Sequence, residues 1–552
     1  MELKTIQTVN TAVLVIGGGG AGLRAAIEAK KYGLDVLLVS KSRVGYGNNT
    51  AIAGGGWAVA GIGNEPDDSP EVHFKDTIKS GQFINDQKLV RIMTQGAAQQ
   101  VSDLTEFGVK FKKRDSGLLR GPGQGHTYRR GVSGDRIGTY LTEPMRDYAT
   151  SIGIQFKEGV LITKLLKTGD TVVGAFGIGK EGQVFVFKAK STILATGGAG
   201  EVYLRTDNAA GSTGDGYALA YECGTSLQDM EFVQFFPTTV GKHGKKVWGF
   251  PNFLREGAVL RNSLGEDILK KHGTDDLASM TRDKLSRAVM TEIIEGRGVG
   301  ESVVVDYAQV PAEKFKELRR DKGGSGYSEE TQVAPSAHFF MGGVKINENC
   351  ETGIDGLYAA GEICSGVQGA NRLGGNALTE VFVFGAIAGG KAAARALEME
   401  AISANESEIS AEVKSLRELA SRQGGEILSK LRQSLKETMW YKAGIIRNKD
   451  GLEEAIKEIG LIQDRLNMVS VASYSQLIKA IELSNMLTVS EAICRGALKR
   501  TESRGAHYRT DYPEENNEQW LKNIDISCVS GNMTLRVIPV TIEPASEYIE
   551  PD

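Results

Sequence analysis

The chain has 552 residues, of which 41% are hydrophobic and 24% charged, with a formal net charge of -4. That length accommodates two to four domains with ample core, and the near balance of charge excludes the basic excess of a nucleic-acid binder or of a protein drawn to an anionic membrane. Glycine, at 69 residues, is well above the usual share of about 7%, which points to tight turns and close approach of backbone to ligand.

The amino-terminal apolar run leads straight into glycines rather than into a cleavage site, so no signal peptide is expected. Residues 11–41, "TAVLVIGGGGAGLRAAIEAKKYGLDVLLVSK", read as strand, helix, strand: a β-branched run from Val13 to Ile16, an alanine-rich helical pattern to about Tyr32, then Val36 to Val39. Gly17, Gly19 and Gly22 complete GxGxxG at the strand-to-helix turn, where a Cβ would obstruct a pyrophosphate resting on the helix amides. A merely tight turn is the competing reading. The acidic residue that a NAD site places at the end of the second strand is absent; Ser40 and Lys41 stand there.

Two later segments repeat the theme. "STILATGGAG" (191–200) is a β-branched run ending in glycines, and so is "GLYAAGEICSGVQGANRLGGNALTEVFVFGAIAGGKAAARALE" (356–398), which continues into a helical pattern. A dinucleotide domain assembled from segments this far apart has other domains inserted in it, and suits FAD, whose ribityl chain needs added contacts. The most apolar later run, 381–390, is far short of the about 20 residues of a membrane span. From residue 401 onward "EVKSLRELASRQGGEILSKLRQSLKETMW" places apolar residues at helical spacing, and "TLRVIPVTIEP" (534–544) reads as a terminal strand. The cysteines Cys223, Cys350, Cys364, Cys494 and Cys528 form no CxxC or close pair, so no disulfide framework, metal site or iron–sulfur site is encoded locally. Free thiols suit a cytoplasmic protein that meets a membrane only through a partner.

Taken together, "LLVSK" (37–41), "ATGGAG" (195–200), "TGDG" (213–216), "DMEFVQF" (229–235), "AHFFMGG" (337–343), "GLYAAGE" with "GANRLGGNAL" (356–378) and "RTESRGAHYRTDYP" (500–513) resemble the flavoprotein subunits of the succinate dehydrogenase and fumarate reductase family, which includes L-aspartate oxidase and the adenylylsulfate reductase flavoprotein. The resemblance runs from near residue 11 to near residue 520. It implies an α/β fold: a Rossmann-like FAD-binding domain (1–235 and 340–400), an inserted α+β capping domain (236–339) that closes over substrate, a C-terminal helical domain (401–530) and a tail (531–552). By motif, Gly17, Gly19, Gly20, Ala21, Gly22, Ser40, Lys41, Asn49, Thr50, Gly55, Gly56, Ala195, Thr196, Gly197, Asp215, Glu362, Arg372, Ala377 and Leu378 fall on the FAD site.

The resemblance also implies hydride transfer between a small-molecule substrate and flavin N5. Arg282 in "MTRDKLSRAV" matches the proton-shuttling arginine, His338 a substrate-binding histidine, and Arg372 the arginine that grips carboxylate beside the flavin. A planar guanidinium suits a carboxylate, but it normally keeps its proton. Each of the three has an alternative as a structural ion-pair or core residue.

Departures from the family pattern are concentrated near the substrate. Asn49, in "GNNTAIAGGG" (47–56), stands where many relatives attach flavin through histidine, so FAD is expected to be noncovalent. Phe236 replaces the histidine of "QFHPTG", and Gln368 stands where relatives often carry histidine. "FPNFLREGAVLRN" (250–262) is a degenerate "TExxRGEGG". One register puts Phe250, Pro251 and Leu254 at its threonine, glutamate and arginine; another keeps Glu256 and puts Arg255 at the threonine. These losses predict a pocket with one apolar end, and a substrate that is not a plain C4 dicarboxylate or has only one carboxylate. Lacking cluster cysteines, the chain is expected to exchange electrons with an iron–sulfur partner, with residues 500–513 as either a contact or an ordinary solvated surface. L-aspartate oxidase and a flavin-bearing electron-transfer subunit without substrate chemistry are the rival functions.

Overall fold

A computed structural model of the chain describes residues 3–54, 56–62, 67–114, 117–121, 123, 125–241, 245–246, 250–273, 281–321, 330–400 and 405–542. Its central sheet forms around the strand Ile6–Ile16, which runs parallel to Val36–Ser40 on one side and to Val184–Leu194 on the other. Gln155–Glu158 and Leu357–Ala359 add further parallel strands, and Val160–Thr168 with Thr171–Gly179 forms an antiparallel arm. Val13–Ile16 and all of Val36–Ser40 are buried, as continuous apolar runs must be when both sheet faces are covered.

The helix Gly20–Lys30 leaves the first glycine turn and crosses the helix Asn376–Glu398 through small residues. A Cβ on Gly389 would lie 2.3 Å from the Ala25 carbonyl oxygen, and one on Gly385 3.0 Å from that of Ala21. Glycine therefore sets the distance between the helices. The apolar run at 381–390 belongs to this 23-residue helix, which is long and apolar enough to cross a membrane by length and composition. Within the molecule, 67% of its most apolar window is buried, so its hydrophobicity is used in core packing.

A second sheet is drawn from residues 233–340. Val233–Val240, Glu330–Phe340, Val303–Asp306 and Val259–Arg261 pair antiparallel, and helix Arg282–Ile294 packs on them. Phe253, Leu260, Val289, Val303, Val305, Tyr307 and Val333 give this unit a core separate from the main one. The roots of Val233–Val240 and Glu330–Phe340 join the main core through Val233, Phe235, Ala337 and Phe340, and their pairing shifts register between Gln234 and Phe235 and again between Phe236 and Thr239.

The region after residue 404 is helical as its periodicity predicts: Glu406–Ser421, Leu428–Lys442, Lys449–Leu466 and Tyr474–Lys499. Asn405, Asn448 and Ser473 cap three of these helices through their side chains. The predicted terminal strand is Asn532–Pro539, but its partner is Lys522–Val529, a strand that the sequence reading places inside the helical domain. Ile524 and Ile526 alternate as a strand should, yet Asn523 and Asp525 are buried as well, so the apolar–polar alternation is hidden. Asn523 Nδ2 donates to Asp229 Oδ2 at 2.6 Å, and Gln228 Nε2 to Asp525 Oδ1 at 3.0 Å.

Residues 500–513 divide by burial: Arg500, Glu502, Arg504, His507 and Arg509 are at most 2% exposed, so these charges are not a solvated face, whereas Thr510, Asp511, Tyr512 and Pro513 are exposed. Arg500 Nε meets Glu231 Oε1 at 2.7 Å, Arg504 Nε meets Glu502 Oε1 at 2.8 Å, and Arg447 Nη1 donates to His507 Nδ1 at 2.9 Å. Buried ions persist only when several partners satisfy them. Here they tie the end of helix Tyr474–Lys499 to the segment entering strand Val233–Val240.

Candidate active site

Two cavities adjoin, sharing Asn49, Thr50, Glu362 and Val381 in their walls. The narrower, about 120 Å³, is lined by Gly17, Gly19, Gly20, Ala21, Ser40, Lys41, Ala195, Thr196, Gly197 and Asp215, residues of three distant segments. Gly17 has φ +125° and a Cβ there would sit 2.1 Å from the Ala195 carbonyl oxygen. Gly22 lines neither cavity; its Cβ would meet the Gly17 carbonyl oxygen at 1.9 Å, so it closes the helix onto the turn.

This cavity fits the nucleotide half of FAD. Amides at the start of helix Gly20–Lys30 border it with no acidic residue in the first turn. Thr196 Oγ1 is buried without a partner, and a Cβ on Gly197 would have nothing within 4 Å, so polar capacity and room coincide. Asp215 lines this cavity and is itself engaged: Lys41 Nζ donates to Asp215 Oδ2 at 2.6 Å and to Glu482 Oε1 at 3.0 Å. Separation by 174 residues hides that pairing from a local motif.

The wider cavity, about 400 Å³, has Gly54, Gly56, Trp57, Ala377 and Leu378 on its walls together with Gln234, Thr281, Arg282, His338, Asn371 and Arg372. Gly55 lies outside the described residues. Asn49 spans the junction: its Nδ2 donates to Glu362 Oε2 at 3.1 Å, and its Oδ1 accepts from Ala209 N at 2.9 Å and Ser212 Oγ at 3.3 Å. Burial pushes Glu362 up to about 7, against the opposing hydrogen bond from Asn49. Gln368 donates instead to Glu380 Oε2 at 2.7 Å and does not line the cavity.

At the reaction end, Gln234 Oε1 accepts from Arg372 Nη2 at 2.9 Å and from Arg282 Nη1 at 3.1 Å. Its Nε2 donates to Asn371 Oδ1 and to the Arg372 carbonyl. Arg372 Nη2 also donates to His338 Nε2 at 3.0 Å, while His338 Nδ1 lies 2.8 Å from Asp207 Oδ2. Because an arginine nitrogen can only donate, His338 Nε2 accepts and its proton sits on Nδ1, facing Asp207. Among the described residues neither Arg282 nor Arg372 forms an ion pair, and Arg372 Nε is buried without a partner. Burial lowers Arg282 to about 10; burial and then the Arg282 charge lower Arg372 to about 9.

The sequence-matched trio Arg282, His338 and Arg372 thus meets at one cavity, and Phe236 does not supply the apolar end expected of it. Phe236 is absent from the cavity lining. Its ring lies 5.4 Å from the Arg282 guanidinium carbon and 5.4 Å, edge-on, from the His338 ring, supporting both from behind. The register shifts flanking Gln234 and Phe236 turn the polar residue inward. Neither register of 250–262 brings a described residue to the wall: Leu254 packs in the separate core, and Arg255 and Glu256 do not line the cavity. The side chains of Phe250 and Pro251 lie outside the described residues. Gln234 and Thr281 are among the wall residues the sequence reading missed. Gln234 was visible only as a polar residue inside an apolar strand, and Thr281 only as the neighbour of Arg282.

Comparison with known proteins agrees with this geometry. The FAD binding domain family matches residues 12–378, and the fumarate reductase flavoprotein C-terminal family matches 432–552. The chain is 40% identical over 530 residues to one of the subunits of the fumarate reductase (CoM/CoB) of Methanothermobacter marburgensis, covering 93% of this chain and 96% of that one. It is 34% identical to the fumarate reductase flavoprotein subunit of Mycobacterium tuberculosis, covering 97% and 98%. Among solved structures, the FrdA protein of E. coli quinol fumarate reductase superposes with a TM-score of 0.88 at 30% identity, covering 98% of both chains. An adenosine-5-phosphosulfate reductase, at 21% identity and a TM-score of 0.79 over 97% and 96%, shares the fold.

Proposed function

The chain belongs to the fumarate reductase and succinate dehydrogenase flavoprotein family of FAD-dependent oxidoreductases, and from that premise we infer that it reduces a carbon–carbon double bond conjugated to a carboxylate. The observation that carries this reading is the pair of buried guanidiniums, joined by one neutral amide oxygen and lacking an ion pair among the described residues. Asp207, Glu362 and Glu380 act on these guanidiniums only through space, and a buried cation without a contacting counter-charge is stabilised by an anionic ligand.

FAD, when bound across the two cavities, supplies the hydride chemistry. Arg372 offers Nε to a substrate carboxylate, and neutral His338, held by Asp207, keeps the Arg372 guanidinium oriented. Arg282 delivers a proton from its guanidinium to the substrate carbon; its lowered pKa answers the objection that an arginine holds its proton too firmly. The cap strands at 233–240 and 330–340 bring these groups together and exclude water from them. Electrons reach the chain from a separate iron–sulfur protein: the five cysteines lie apart in sequence, and the relatives are named as subunits.

Phe236 no longer argues against a second carboxylate, so fumarate is the substrate to test. With reduced viologen as donor, the purified holoprotein should reduce fumarate, and Arg282→Gln should lower the rate by a factor on the order of 10²–10⁴ while retaining flavin. No turnover in the wild type would end this reading. An unchanged electron flux through Arg282→Gln would favour an electron-transfer subunit without substrate chemistry.

A further inference from the structure

We propose that the hydroxyl of Thr281 is a specificity-determining group that binds the second carboxylate of a dicarboxylic substrate, alongside Arg282. This deepens the reading above and rests on it. Thr281 occupies the N-cap of the 13-residue helix Arg282–Ile294 with extended backbone, φ −86° and ψ 163°, the usual conformation for a capping threonine. Its side chain nevertheless makes no cap hydrogen bond. Oγ1 is buried, has no partner among the described residues, and belongs to a residue lining the wider cavity.

A threonine in that position ordinarily accepts from an amide of the first turn. A buried hydroxyl left unmet is costly, and of those in this protein that of Thr281 belongs to a residue of the substrate-sized cavity, where a ligand can complete it. The O–H is free to donate to an acceptor, and three features make a carboxylate the fitting one. First-turn amides of a helix favour negative charge. The adjacent Arg282 uses one N–H on Gln234 and has no ion pair among the described residues. Asp283 in the same turn is already engaged, its Oδ1 accepting from Asn371 Nδ2 at 2.8 Å. The hydroxyl that the degenerate segment 250–262 was expected to have lost is supplied from another element.

The test uses holoprotein and calorimetric titration with malonate, a dicarboxylate that cannot be reduced, and with propionate, a monocarboxylate. Thr281→Val should raise the malonate Kd about tenfold and leave the propionate Kd within a factor of about two, with Thr281→Ser restoring malonate binding. The KM for fumarate should rise in parallel. Flavin content and melting temperature check the fold, and Thr281→Ala serves as a second hydroxyl-free variant if the valine variant fails that check. Wild-type malonate affinity in both hydroxyl-free variants overturns the proposal, as does an equal loss of propionate. A wild type that neither binds malonate nor reduces fumarate overturns the underlying reading as well, which separates the two failures.

Discussion

Gln234 Oε1 takes a hydrogen bond from each of the two guanidiniums at the reaction end. As a neutral acceptor it fixes their positions without cancelling their charge, which leaves burial free to lower Arg282 to about 10 and Arg372 to about 9. Reduction needs the protonated guanidinium, so turnover should hold near neutral pH and fall as pH rises through about 9 to 10. Gln234→Glu introduces an anion at the same atoms, raising both arginine pKa values. It should move the alkaline limb upward by about one unit, slow turnover at pH 7 by roughly tenfold and raise the KM for fumarate. A pH profile of kcat between 6 and 11 checks this, and a purely structural role for Gln234 would leave the limb in place. None of this was legible in "VQFFPTT" (233–239): Arg282, His338 and Arg372 announce themselves through motifs, whereas the role of Gln234 depends on partners 48 and 138 residues away.

Among the elements, the crossing of helices Gly20–Lys30 and Asn376–Glu398 connects packing to cofactor binding. The first helix begins at the glycine turn of the nucleotide cavity, and Ala25 on it touches Gly389 too closely for any side chain. Gly389→Val must push the helices apart against a backbone carbonyl. A cost of about 1–3 kcal/mol in unfolding free energy is expected, with weaker FAD binding because the Gly17–Gly22 turn moves with its helix. Urea unfolding and flavin titration measure the two effects; a loss of stability with unaltered FAD affinity would uncouple them. The helices themselves were readable, since periodicity and caps are local signals. The strand Lys522–Val529 was not, because its buried Asn523 and Asp525 satisfy polar groups contributed by residues near 228 and 229.

For the molecule as a whole, the two cavities lie between segments that the chain contributes from its first 60 residues, from 195–215 and from 360–381, and FAD bound there would be held by all three. Asn49 is already committed to Glu362, Ala209 and Ser212 and offers no nucleophile for a covalent bond. Acid precipitation should therefore release the flavin and leave a colourless pellet. The apoprotein should melt lower, regaining about 2.7 kcal/mol when free FAD reaches one hundred times its Kd; flavin retained in the washed pellet would contradict the noncovalent assignment. The sequence by itself determined the family, the FAD-binding domain and three residues, Arg282, His338 and Arg372, that meet at one cavity, because glycine turns, helical periodicity and short motifs are properties of neighbouring residues. Only the tertiary structure decided that Phe236 packs against Arg282 and His338 outside the cavity lining, that Gln234 and Thr281 belong to the wall, and that the charges of 500–509 are internal. Those outcomes follow from strand register and from contacts between residues hundreds of positions apart, which no local pattern encodes.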